Sequence, residues 1–114
     1  MATNNHINYI EFKARDLSAI KHFYTGVFEW TFTDYGPDYV AFSNSGLEGG
    51  FERAIPSKET GALVVLFHED LALIKSKVLA AGGTLIKDIF SFPGGSRFHF
   101  ADPAGNELAI WSDK

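Results

Sequence analysis

One order of elements, a strand, a helix and then three short strands, is written twice along this chain, and few folds accommodate such a repeat. In the first copy Ile7 to Lys13 alternates as a strand does, with Ile7, Tyr9, Glu11 and Lys13 on one side and Asn8, Ile10 and Phe12 on the other. Asp16 then stands as an N-cap ahead of Leu17, Ile20, Phe23, Tyr24 and Val27, apolar residues at helical spacing. Three strand-like runs follow, Trp30 to Tyr35, Tyr39 to Ser43 and Leu47 to Arg53, parted by the turn clusters Gly36-Pro37-Asp38 and Asn44-Ser45-Gly46. The second copy opens with Ala62 to His68 and a helix capped by Asp70, striped by Leu71, Ile74, Val78 and Leu79 and stopped at Gly82-Gly83. It continues through Thr84 to Phe92, Ser96 to Ala101 and Glu107 to Ser112, with Pro93-Gly94-Gly95 and Asp102-Pro103-Ala104-Gly105-Asn106 as turns. Laying Asp16 on Asp70 places Leu17 on Leu71 and Ile20 on Ile74, and after a short further shift Phe42 meets Phe100. The polar, Pro-broken stretch from Ile55 to Thr60 serves as a linker. These observations predict one α+β domain over residues 1–114, with a first βαβββ module at about 6–54, a linker at 55–61 and a second module at about 62–112.

Composition narrows what such a domain does. With 46 % hydrophobic and 21 % charged residues in 114, the chain can bury a real core, and without cysteine it has no disulfide scaffold. A net charge of −4 with no Lys/Arg cluster argues against nucleic acid and anionic membrane as partners, because phosphate binding needs a concentrated basic face. The opening residues Met1 to His6 lack the basic and apolar regions of a signal peptide, and no apolar run approaches the ~20 residues a bilayer requires. The expectation is a soluble, cytoplasmic protein. Eleven Phe within a 15 % aromatic content exceed what a small core needs, which suggests an aromatic-lined cavity.

Asp16-Leu17 followed by Phe23-Tyr24, then Val27-Phe28-Glu29-Trp30 at the helix end, and Asp102-Pro103-Ala104-Gly105-Asn106 in the last hairpin, set in βαβββ order, resemble the vicinal oxygen chelate superfamily. That superfamily comprises glyoxalase I, bleomycin-resistance proteins, fosfomycin-resistance enzymes and extradiol dioxygenases. The likeness covers nearly the whole chain and is strongest to the bacterial glyoxalase-related, or lactoylglutathione-lyase-related, branch. It implies two modules whose mixed sheets curl into cups that pair around a ligand, the glyoxalase/bleomycin-resistance fold, and a homodimer. It also implies a divalent metal that binds neighbouring substrate oxygens and stabilises an enediolate or oxyanion. The positions it implies for the metal ligands hold Tyr9, Ala41 or a close neighbour, Val64 and Ala109, none a normal ligand for Zn, Ni, Mn or Fe. The expectation is therefore no cofactor, with a shifted divalent site on Glu11, His99 and Glu107 as the alternative.

Alternation puts Glu11 on the face of Tyr9, and Glu107 and Trp111 on the face of Ala109, while the repeat sets His99 opposite Ala41 and Arg97 opposite Tyr39. The resemblance to the fosfomycin-resistance branch, where the position matching His99 binds substrate, implies that Arg97 and His99 face the cavity. His99 is then either a general acid/base or a cavity-wall histidine bonded across strands. Arg97 grips an anionic ligand or makes a rim salt bridge. Glu11, among Tyr and Phe, is either a proton-abstracting base or an ion-pair partner of Lys13 or Arg53. Glu107 takes part in the site or braces its hairpin. Tyr9, Trp30, Tyr35, Tyr39, Phe51, Phe92 and Trp111 together favour a flat or apolar ligand, whereas Phe23, Phe28, Ile20 and Ile74 belong to the core. His22 points to solvent, His68 sits in a loop and His6 lies near the terminus. Tyr9, Glu11, Arg97, His99 and Trp111 are expected to share one pocket, with Phe98 and Phe100 beneath the helices. The function expected first is metal-free binding of a small aromatic or amphipathic molecule. The alternative is a lyase or isomerase of the superfamily using Glu11 and His99, but not glyoxalase I itself.

Overall fold

Asp16 and Asp70 start the two helices in the same way. Each has extended backbone, and its carboxylate accepts the amide of the residue three positions on, Ala19 at 3.1 Å and Leu73 at 3.1 Å. That bond fills one of the donors a helix start leaves unpaired. The first helix, α1, spans Leu17–Phe28, and the second, α2, spans Leu71–Ala80. The computed structural model describes residues 2–5, 7–56 and 62–114, so His6 and residues 57–61 of the expected linker lie outside the described part.

Around the helices stand two four-stranded sheets of like topology. The first holds β1 (Ile10–Ala14), β2 (Thr31–Asp34), β3 (Tyr39–Ser43) and β4 (Gly49–Arg53) in the order β1-β4-β3-β2. The second holds β5 (Val64–Phe67), β6 (Thr84–Phe92), β7 (Gly95–Ala101) and β8 (Glu107–Ser112) in the order β5-β8-β7-β6. In each sheet the strand before the helix pairs in parallel with the last strand, and the remaining pairs are antiparallel. The fold is the expected α+β arrangement of two βαβββ units. Three strands fall on their expected limits, Tyr39–Ser43, Thr84–Phe92 and Glu107–Ser112, whereas β1, β4 and β5 begin two or three residues later than the sequence alternation suggests. Alternation in those stretches begins before the paired residues of the strand do.

One apolar cluster serves both sheets. It contains Leu17, Ile20, Phe23, Tyr24 and Val27 of α1, Leu71, Ile74 and Val78 of α2, Val40, Phe42 and Phe51 of the first sheet, and Phe98, Phe100, Leu108 and Ile110 of the second. Helix α1 reaches across the boundary, since Phe23 and Phe28 both lie 6.2 Å ring-to-ring from Phe100. Two polar contacts fix the same junction: the buried Tyr24 hydroxyl donates to Asp102 at 2.8 Å, and at the surface Asn106 Nδ2 donates to the Lys13 carbonyl at 3.0 Å. Asp102 also accepts the amides of Ala104 and Asn106 and the Asn106 side chain, so the Asp-Pro-Ala-Gly-Asn turn is closed on its own carboxylate. Burial pushes the Tyr24 phenol well up, and the neighbouring Asp102 adds to the effect. Burial also raises the Asp102 carboxyl, against hydrogen bonds that pull it down.

Two of the aromatics expected to favour a flat or apolar ligand are buried in this core. Trp30 stacks on Tyr24 at 4.6 Å and on Phe42 at 4.6 Å, and Phe51 is fully buried. Trp30 precedes β2 and packs against Tyr24 and Phe28 at the end of α1. Phe51 shares the parity of Phe12, its register partner across β1 and β4, and stacks on it at 5.1 Å.

Candidate functional site

On both sheets the face away from the helices carries the residues the sequence singles out. Phe98 and Phe100 are fully buried under the helices, which leaves Arg97 and His99 on the opposite face of β7, as expected. The register then lines them up with β8, Arg97 against Trp111, His99 against Ala109 and Ala101 against Glu107.

Hydrogen bonds gather these residues into two groups, one on each sheet. In the first sheet the Tyr9 hydroxyl lies 2.5 Å from that of Tyr39, and Tyr39 also shares a hydrogen bond with Glu11. Desolvation holds the Tyr39 phenol far above its ordinary value, and the Tyr9 and Glu11 bonds push the same way. Glu11 is exposed to solvent instead of enclosed by rings, and Arg53, one of its expected ion-pair partners, bonds Asp38 at 2.8 Å. In the second sheet His99 Nδ1 sits 2.9 Å from Glu107 Oε2, with the imidazole well covered and Glu107 open to solvent. No hydrogen bond among the described residues joins the Tyr9 group to the His99 group. Strand alternation places side chains on a face of their own sheet and is silent about how two sheets face each other.

The second group has a ring wall. Phe90 stacks on His99 with centroids 6.0 Å apart, and the Arg97 guanidinium carbon lies 5.4 Å from the centre of Phe90 and 5.8 Å from that of Phe92. Lys87 Nζ stands 4.2 Å over the same Phe90 ring. Trp111 meets Phe67 edge-on at 5.2 Å. Phe90 is the residue the sequence reading misses. β6 breaks register twice against β7, between Leu85 and Lys87 and again between Lys87 and Phe90; the first break turns Lys87 to this face, and the two inversions cancel at Phe90, which lies opposite Arg97. Within this group two nitrogens, Arg97 Nε and His99 Nε2, are buried with no hydrogen-bond partner. Native chains leave few such atoms, so each calls for an explanation.

A cavity of about 750 Å³ lies elsewhere, lined by Ile10 and Phe12 of β1, Val64 to Phe67 of β5, and Phe28, Trp30 and Phe42. It is aromatic-lined, as the composition suggests, but none of the seven predicted site residues borders it. Of the other expected bystanders, His22 is exposed and His68 accepts the Asp70 amide at 2.9 Å in the loop before α2.

Two βαβββ units with parallel outer pairs and a closed Asp-Pro-Ala-Gly-Asn hairpin invite comparison with known proteins. The model of the Glyoxalase/Bleomycin resistance protein/Dioxygenase superfamily matches residues 6–110. The chain belongs to this superfamily. Over 116 aligned residues it is 28 % identical to a protein provisionally named glyoxylase CFP32 of Mycobacterium bovis, covering 91 % of this chain and 44 % of that protein. The chain thus spans less than half the length of this curated relative. Among solved structures, a glyoxalase/bleomycin resistance protein/dioxygenase family enzyme from Burkholderia phytofirmans PsJN superposes with a TM-score of 0.81 at 19 % identity, covering 94 % of this chain and 98 % of that one. A mutant of the fosfomycin resistance protein FosX from Listeria monocytogenes, solved with Mn(II) and 1S,2S-dihydroxypropylphosphonic acid, gives 0.82 at 16 % identity, with 96 % and 91 % covered. At such identities these structures share the fold with this superfamily member.

The FosX mutant was solved with Mn(II). Among the described residues there is no group of three His, Cys, Asp or Glu able to hold one ion. His99 and Glu107 supply a pair, Glu11 belongs to the other sheet, and Val64 and Ala109 offer no donor atom. The donors described in this single chain do not fit a resident divalent ion.

Proposed function

We propose that the uncovered face of β6, β7 and β8 binds a small aromatic or amphipathic molecule without a metal, and that the chain acts in this as a homodimer in the cytoplasm. One observation carries the reading: the Arg97 Nε and His99 Nε2 atoms lie buried without partners beside the rings of Phe90 and Phe92. Leaving such groups unpaired costs about 1–3 kcal/mol each, which a ligand that hydrogen-bonds them returns. Within the proposed site Arg97, His99 and Trp111 contact the ligand and Glu107 orients His99, while Tyr9, Glu11 and Tyr39 form a second, self-bonded patch on the first sheet. The 750 Å³ cavity is the weaker candidate, since neither of the two buried unpartnered nitrogens found among the described residues belongs to its lining. Exposed Phe67, Val65, Ile86 and Ile89 in the second module support the homodimer, because apolar side chains of that size left in water favour self-association.

A thermal-shift screen of metabolites, metals and antibiotics tests the binding reading. A ligand at ~100 times its dissociation constant adds roughly 2.7 kcal/mol of stability, and that gain should disappear in Arg97→Gln. A stabilising divalent ion that requires His99 and Glu107 would replace this reading with a metal-dependent one. The carboxylate-oriented imidazole favours a second reading, a lyase or isomerase in which His99 moves a proton with Glu107 behind it. Under either reading the methylglyoxal–glutathione hemithioacetal is not turned over with Ni, Zn or Mn added, and metal-dependent turnover abolished by a chelator would reject both.

A further inference from the structure

The two orphaned nitrogens ask for opposite partners. A carboxylate at Glu107 accepts from His99 Nδ1 across their 2.9 Å contact, and in the neutral imidazole that tautomer leaves Nε2 as a bare lone pair. Arg97 Nε carries a hydrogen under all conditions and can only donate. The two side chains stand two residues apart on one face of β7, with the Phe90 ring against both. Lys87 and Arg97 against Glu107 leave this face locally positive on a chain whose net charge is −4. A ligand that satisfies both atoms therefore brings an anionic acceptor for Arg97, a hydroxyl donor for His99, and a flat ring for the aromatic wall.

We propose, resting on the binding reading above, that this face selects a hydroxy-substituted aromatic carboxylate, whose ring takes the place that Phe90 occupies in the free chain. Phe90 is suited to give way, because it follows a break in the β6–β7 register and is itself only partly buried. In place its ring packs against Arg97 and His99, so its displacement forfeits ring contacts that the incoming ring restores. Arg97 reads the carboxylate, His99 reads the hydroxyl, and Glu107 positions His99 by fixing its tautomer.

The test is a calorimetric titration of the full chain with three probes: 3-hydroxy-2-naphthoate, 2-naphthoate and 2-naphthol. The unaltered chain should bind the hydroxy acid about tenfold or more tightly than either single-group analogue, the scale of one well-made hydrogen bond. Arg97→Gln should erase the advantage over 2-naphthol, and His99→Leu the advantage over 2-naphthoate. Glu107→Gln, an exposed change that spares the fold, should narrow the His99-dependent advantage and leave the Arg97-dependent one intact, which keeps the test decisive if His99→Leu misfolds. Phe90→Ala should speed association several-fold in stopped flow and preserve the order of the probes. Equal binding of all three probes, with Trp111 fluorescence responding, would overturn this ligand class while sparing the binding reading. Advantages that survive Arg97→Gln and Glu107→Gln would also overturn it, and no binding by any probe would sink both proposals.

Discussion

The two sheets repeat each other strand for strand, yet they finish their uncovered faces differently. In the first, β4 brings Gly50 opposite Glu11 and Ala41, and the missing side chain lets the Tyr9 and Tyr39 hydroxyls lie over the strand and bond each other. A Cβ on Gly50 would collide with both hydroxyls. In the second sheet Ala109 of β8 stands opposite Val65 and His99, no tyrosine folds over, and the polar groups of β7 are left with one bond from Glu107 and two unpaired nitrogens. One face satisfies itself and the other does not. Duplication of a scaffold conserves the side of each sheet that builds the core, because any change there costs packing, and frees the far side to diverge.

The sharpest way to break this comparison is to cut the shared core at equivalent points. Phe42→Ala and Phe100→Ala, which the repeat superposes and which are both buried, should each cost ~3–5 kcal/mol, as should Phe98→Ala. Urea denaturation should show a single transition in every case. Two separated transitions would mean that the modules do not share one cooperative core.

Glycine substitution sharpens the contrast between faces. At Gly49 a Cβ would run into the Ile10 carbonyl oxygen, a backbone atom that cannot move without breaking the β1–β4 ladder, whereas at Gly50 it meets the far ends of two tyrosines. Gly49→Ala should therefore cost ~2–3 kcal/mol and Gly50→Ala ~1 kcal/mol or less, by thermal denaturation, and a reversed order would contradict the face assignment.

Asp102 offers a pH test of the junction between the sheets. Its carboxyl is raised chiefly by burial, so the folded chain holds that proton more tightly than the unfolded one. That contribution to stability is present at acid pH and is lost as pH rises from the ordinary carboxyl value through the raised one. Asp102→Asn should cost ~1–3 kcal/mol, since an amide nitrogen would replace one of the oxygens that accept from Tyr24, Asn106 and Ala104. Its deficit relative to the unaltered chain should shrink as pH is raised across that window, and a constant or growing deficit would contradict the direction given for Asp102. The smallest effect is expected for Tyr9→Phe, which removes one bond from an exposed pair and should change stability by ~0.5 kcal/mol.

Much of the fold is legible in residue order because local chemistry repeats: Asp16 and Asp70 cap, the helical stripes bury, and Gly82 takes the left-handed φ of 101° that ends α2. The face of β7 is legible for the same reason, since Phe98 and Phe100 admit a single parity when one side of the strand is buried. The face of Lys87 is not legible, because the register break before it has no compositional mark and inverts its parity, whereas the second break restores the parity at Phe90. The division of Tyr9, Glu11 and Tyr39 from Arg97, His99 and Glu107 is likewise a matter of how two sheets sit on one core. By itself the sequence determined the duplicated α+β architecture, the core and the sidedness of each strand, all of which follow from periodicity and burial within a few residues of chain. Only the tertiary structure decided which polar groups meet, that Glu107 claims one nitrogen of His99 and that nothing claims the other, because those contacts join strands whose spacing is set by packing rather than by neighbours in sequence.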